Sequence, residues 1–120
     1  MQLEFGGDCP TLGTSVISQI ILVKPLTTYR LRFFARTGKL VTGGLPLVVA
    51  RIAGAVDQPI LAQSKSLPSD SREWQEHTLE FKTDGKTDAV HIGLEREKCL
   101  TMPCPIFGRL WLDDFTLEEL

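Results

Sequence analysis

No window of this 120-residue chain carries the apolar stripe of an amphipathic helix, which would recur every 3.6 residues. Nor does any apolar stretch approach the roughly 20 residues that a membrane helix needs; the longest streak, 20–23, is only strand-sized. Charge of one sign is lacking as well. Thirteen basic residues stand against fifteen acidic, and the basic ones are scattered. The net value of −2 therefore sets up no field to draw nucleic acid. Cysteine is down to three and histidine to two. Cys99 and Cys104, set beside Pro103 and Pro105, have no histidine near them and do not make a four-ligand zinc site. They form either a small loop disulfide, which the turn-like segment between two strands favours, or two free thiols. Cys9 stands alone and weakens any claim of an oxidising compartment.

Catalytic signatures are missing too. There is no G-x-S-x-G elbow, no H-E-x-x-H and no P-loop. Glu95 and Glu97 lie two apart and point the same way from one strand, whereas a glycosidase pair must flank its bond from opposite sides. The Gly43-Gly44 pair is a turn with no following helix to hold phosphate. No catalytic residue and no required cofactor are expected. The opening residues, Met1-Gln2-Leu3-Glu4, lack the basic and apolar regions of a signal peptide. They read as the start of a cytosolic protein, or of a mature or excised piece of something longer.

What is there is alternation. A 42% hydrophobic, 23% charged composition excludes disorder and allows one real core, so residues 1–120 read as a single domain. In 29–36, Tyr29, Leu31, Phe33 and Ala35 alternate with Arg30, Arg32, Phe34 and Arg36. In 88–95, Val90, Ile92 and Leu94 alternate with His91, Gly93 and Glu95. In 75–82, His77, Leu79 and Phe81 form one phase. Further strands are expected at 3–5, 15–23, 46–52, 60–63 and 109–118, separated by Gly, Pro, Asp and Ser turn signals such as 6–8, 42–44, 68–71, 84–86 and 102–103. Many short alternating strands with even punctuation predict an all-β antiparallel sandwich or barrel. Within 109–118, Leu110 and Leu112 share one phase and Phe115 and Leu117 the other, so a bulge at Asp113-Asp114 is expected.

Four stretches together resemble the galactose-binding-like jelly rolls, specifically carbohydrate-binding modules of the kind appended to bacterial glycanases. They are Gln19-x-Ile21-x-Val23-x-Pro25 with Tyr29-x-Leu31-x-Phe33; Trp74 with Leu79-Glu80-Phe81-Lys82-Thr83; Ala89-Val90-x-Ile92-x-Leu94-x-Arg96; and Gly108-Arg109-Leu110-Trp111-Leu112-Asp113-Asp114-Phe115. The resemblance spans about 16–117 and implies an antiparallel β-sandwich of jelly-roll type that binds an oligosaccharide or polysaccharide without catalysis. It implies an extracellular or periplasmic setting. Such modules usually begin with one or two strands ahead of the point matched by 3–6. The opening strand is therefore expected to be missing, the chain to be a fragment of a longer protein, and the open sheet edge to promote self-association.

Sugar recognition needs aromatic faces for pyranose C–H groups and forked polar side chains for pairs of hydroxyls. The outward-phase residues Arg30, Arg32, Phe34, Arg51, His91, Glu95, Arg109 and Trp111 are the candidates. Each is also an ordinary solubilising residue of an outward strand face. The resemblance further implies that Asp113 supplies an oxygen to a structural calcium ion, although two adjacent aspartates cannot fill a shell of six to eight oxygens. Trp74 is expected in the core or at its edge, Tyr29 and Phe33 in the core, and His77 as a buried, hydrogen-bonded histidine. Near-neutral charge suits a neutral polymer better than a charged one. The rival reading is a structural or interaction domain, supported by the scarcity of aromatics (8%). Burial of Trp111 would favour it, whereas exposure of Trp111 beside Arg32 or Glu95 would favour sugar binding.

Overall fold

A computed structural model describes residues 2–6, 18–54, 57–99 and 105–120. Its eight strands are β1 (Gln2–Gly6), β2 (Ser18–Leu22), β3 (Thr28–Thr42), β4 (Pro46–Ile52), β5 (Ile60–Gln63), β6 (Gln75–Lys82), β7 (Ala89–Arg96) and β8 (Ile106–Glu119). They form two four-stranded antiparallel sheets, β1-β8-β3-β6 and β2-β7-β4-β5, which face each other as a sandwich. The expected all-β sandwich is thus observed. No helix among the described residues is long and apolar enough to cross a membrane.

The inward phase of each strand supplies the core. Tyr29, Leu31, Phe33 and Ala35 of β3, Leu79 and Phe81 of β6, and Leu110 and Leu112 of β8 meet Val48 and Ala50 of β4 and Val90, Ile92 and Leu94 of β7. Tyr29 stacks on Phe81 at 5.5 Å between centroids. Its hydroxyl accepts a 2.7 Å hydrogen bond from the Lys24 backbone, so the polar tip of a buried ring is satisfied. On the far side of the first sheet, Arg30 pairs with Glu80 and Arg32 with Glu118 across neighbouring strands. These pairs are solvent-exposed and add little stability.

Two register shifts shape β3 and β8. Asp113 lies opposite Phe34 and Thr116 opposite Arg32, leaving two residues of β8 against Phe33 alone. Asp114 occupies a left-handed conformation there, with φ of 54°. The expected bulge at the aspartates is present, and it turns Phe115 back onto Phe33 at 5.1 Å. A second shift lies between Gly38 and Val41. Lys39 has φ of 51° and Gly108 opposite it φ of 118°. A Cβ on Gly108 would stand 2.5 Å from the Lys39 carbonyl oxygen, so only glycine fits this close approach. The shift explains why β3 runs six residues beyond the expected 29–36. Thr37 and Leu40 are both buried, and their three-residue spacing hides the strand from a period-two reading.

Two expectations are corrected, the placement of Trp74 and the hydrogen bonding of His77. Trp74 is 46% exposed. It ends the 68–74 loop, which is tied to β3 by hydrogen bonds from Ser71 to Thr37 and from Leu40 to Ser69, and it stays on the outer side. His77 faces inward and stacks on Phe33 at 5.4 Å. Its Nε2 is buried without a hydrogen-bond partner among the described residues, not hydrogen-bonded as expected. Burial pushes its pKa down from the usual 6.5.

Candidate functional site

The sequence candidates do not share one face. Alternation distinguishes inward from outward but not one sheet's outer face from the other's. Arg30, Arg32, Phe34, Arg109, Trp111 and Asp113 lie on the β1-β8-β3-β6 sheet, whereas Arg51, His91 and Glu95 lie on the β2-β7-β4-β5 sheet. The expectation of a single outward face is corrected accordingly.

On the second sheet, strand register sets a compact polar group. Arg51 of β4 lies opposite His91 of β7, Val49 opposite Gly93, and Leu47 opposite Glu95. The Arg51 guanidinium reaches along the sheet to Glu95, with Nε and Nη2 each donating at 2.7 Å to separate carboxylate oxygens. Its Nη1 also donates to the Gln58 carbonyl at 2.9 Å. The fork bridges the Val49–Gly93 rung, where glycine offers no side chain to block it. Both side chains are well covered, at 24% and 15% exposure. The Glu95 hydrogen bonds hold the Arg51 proton more tightly than usual, against a smaller effect of burial.

Leu47 and Val49 are buried yet belong to this outer face, not to the inter-sheet core. They floor an open groove of about 660 Å³ whose walls include Ile60, Gln63, Glu95 and Lys98. One end of the groove is fixed by Arg96, which sequence reading placed in a strand motif without assigning it a task. Its guanidinium donates to the Gly44 carbonyl at 3.1 Å and to the Thr42 hydroxyl at 2.6 Å, fastening the turn between β3 and β4. It also approaches Cys99 Sγ at 3.7 Å. Cys99 is disulfide-bonded. Cys9 and Cys104 lie outside the described residues, as does the 102–103 turn.

On the first sheet, Trp111 is neither buried nor fully exposed, and its neighbour is Arg36, not Arg32 or Glu95. The Arg36 guanidinium carbon lies 4.1 Å from the centre of the Trp111 ring and 6.0 Å from that of Trp74. Arg36 and Trp74 were not singled out from sequence as ligand-facing. The Arg36 position in the outward phase was the available signal. Phe34 stands opposite Glu76 and Asp113.

Asp113 is exposed, and its Oδ1 accepts a hydrogen bond from the backbone of Asp114 at 2.9 Å. Among the described residues no group of three or more acidic, histidine or cysteine side chains comes together. The described residues therefore do not fit a calcium shell around Asp113.

Comparison with known proteins places the architecture. No protein-family model and no curated protein sequence matches this chain. Solved structures do. A family 4 carbohydrate-binding module superposes with a TM-score of 0.63 at 18% identity, over 86% of this chain and 59% of its own. The CBM22-1–GH10 modules of the Clostridium thermocellum endo-1,4-β-D-xylanase Xyn10B, in complex with xylohexaose, give 0.54 at 12% identity, over 79% of this chain and 17% of that one. A family 16 carbohydrate-binding module gives 0.53 at 18% identity, over 84% and 67%. The chain thus has the fold of carbohydrate-binding modules over most of its length, and it spans about three fifths of the family 4 structure.

Proposed function

We propose that this protein is a non-catalytic carbohydrate-binding domain that lays a neutral glycan along the outer face of the β2-β7-β4-β5 sheet. The observation that carries the reading is the Arg51–Glu95 fork, whose Glu95 end lines the groove beside Ile60 and Gln63. A sugar presents pairs of hydroxyls around a flat C–H surface. The fork fixes the direction of its remaining guanidinium N–H groups and carboxylate lone pairs, and half-exposed Ile60 offers the C–H face an apolar contact, so little ordering cost is left for binding. His91, opposite Arg51 in register, adds a ring nitrogen able to donate or accept. The likeness in fold to the xylanase module solved with xylohexaose supports a β-linked oligosaccharide as the first probe. The Cys99 disulfide suits an oxidising, extracellular or periplasmic setting.

The described part of this face carries no tryptophan, tyrosine or phenylalanine, which favours a second reading, a structural domain of a larger protein. Affinity electrophoresis against plant, fungal and bacterial polysaccharides separates the two. Retardation on at least one neutral glycan is expected. Unchanged mobility on all of them would leave the structural reading.

A further inference from the structure

The outer face of the β1-β8-β3-β6 sheet holds a second, chemically different groove of about 690 Å³. Its floor is β3 at Arg36 and Gly38, one wall is the 68–74 loop, and the other is β8 at Arg109 and Trp111. Four cations line it, Arg36, Lys39, Arg72 and Arg109, against a single lining carboxylate, Asp70. Asp70 is spent on Arg72 at 3.6 Å. Among the described residues Arg36, Lys39 and Arg109 have no ion-pair partner within 4.0 Å, although Glu4 stands opposite Arg109 in register. Arg36, Lys39 and Arg109 thus set three positive charges without a described ion-pair partner along one groove.

Arg36 is held for a purpose beyond packing. β3 lies between β8 and the 68–74 loop, so Trp111 and Trp74 flank Arg36 from opposite sides. A guanidinium stacked on a ring keeps its in-plane N–H donors free and fixes their direction, which is the geometry that grips a carboxylate at two points. Gly38 makes room for the arrangement. A Cβ there would meet Cζ3 of Trp111 at 3.2 Å. Lys39 and Arg72 both sit in the left-handed region, with φ of 51° and 59°. Such backbone is costly for long side chains, and two of the five described non-glycine residues that adopt it line this groove.

We propose that this groove binds an acidic saccharide, a short oligosaccharide containing uronic acid, with Arg36 gripping a carboxylate and Trp74 offering its exposed ring to the sugar face. This site is separate from the neutral-glycan face and does not depend on it. A nucleic acid is disfavoured because the four lining cations are confined to one short groove and the net charge of −2 draws no continuous phosphate chain.

The chain's two tryptophans both flank Arg36, so intrinsic fluorescence reports on this groove alone. Trigalacturonic acid and the trisaccharide with its carboxylates reduced to hydroxymethyl groups are titrated into the full chain at low and moderate salt. The acid should change the emission and bind about tenfold or more tightly than its neutral counterpart, less so as salt rises. Arg36→Gln and Arg109→Gln should each weaken it by about tenfold, with the circular dichroism spectrum unchanged. Arg51→Gln on the other sheet should leave it alone. Equal affinity for acid and neutral trisaccharide, no fluorescence change in the unaltered protein, or equally tight binding of polyglutamate or oligothymidine would overturn the proposal. Loss of trigalacturonate binding in Arg51→Gln alone would overturn the separateness of the two sites.

Discussion

Arg51 and Glu95 are joined by two parallel hydrogen bonds of 2.7 Å that cross above the Val49–Gly93 rung of β4 and β7. The pair is partly buried, so removing one member leaves the other under-solvated. Glu95→Gln should lower unfolding free energy by about 1–3 kcal/mol, read from urea denaturation. Gly93→Leu should be comparably harmful because its side chain would rise into the path of the fork. A Glu95→Gln protein as stable as the parent would show the fork to be a surface pair of no consequence.

His77 gives the fold a pH dependence. Burial holds its imidazole below the usual 6.5, so the folded chain takes up this proton less readily than the unfolded chain. The contribution of neutral His77 is complete above 6.5 and declines as pH falls from there towards its folded value. Urea midpoints should therefore drop between about pH 7 and 5.5. His77→Phe, which keeps the stack on Phe33, should flatten that decline. An unchanged slope in the variant would show that His77 is not its source.

The bulge in β8 rests on Asp114 at φ of 54°, a conformation that short polar residues tolerate and β-branched ones do not. Asp114→Val should cost about 1–2 kcal/mol, and Asp114→Gly or Asp114→Asn should cost little. Deleting Asp114 should also be tolerated, because it removes the extra residue of the bulge and leaves Leu112, Phe115 and Leu117 in one inward phase. Thermal unfolding of the four variants checks the order.

Much of the architecture is legible in the chain. The runs 46–52, 60–63 and 75–82 coincide with β4, β5 and β6: the last alternates and the first two are short apolar runs bounded by turn signals, and neither signal needs tertiary information. The opposed phases of Leu112 and Phe115 disclosed the bulge at Asp113-Asp114 for the same reason. The bulge at Lys39 was hidden, because Thr37 does not register as an inward residue until its burial is seen. The division of the candidates between two faces was hidden too. Periodicity says that Arg32 and Glu95 point outward, but only strand order says that they point in opposite directions. Trp74 was misjudged because an aromatic opening a strand normally packs inward, and the loop bonds to Thr37 hold it outside instead.

Edge strand β2 exposes Ile20 at 64% and Leu22 at 85%. Its backbone edge, unpaired among the described residues, and these side chains should support weak self-association at high concentration. Light scattering should show mass rising with concentration, and Ile20→Lys should suppress the rise. A constant monomer mass across the range would remove this expectation.

The most direct test of the central claim is calorimetric titration of xylohexaose, and of whichever neutral polysaccharide fragment retards the protein in affinity gels, into the parent chain and two variants. Glu95→Gln should weaken binding by about tenfold or more, and Arg36→Gln should leave it unchanged. Absence of binding to every neutral glycan, or binding that Glu95→Gln does not alter, would contradict the assignment of the β2-β7-β4-β5 face as a sugar-binding surface.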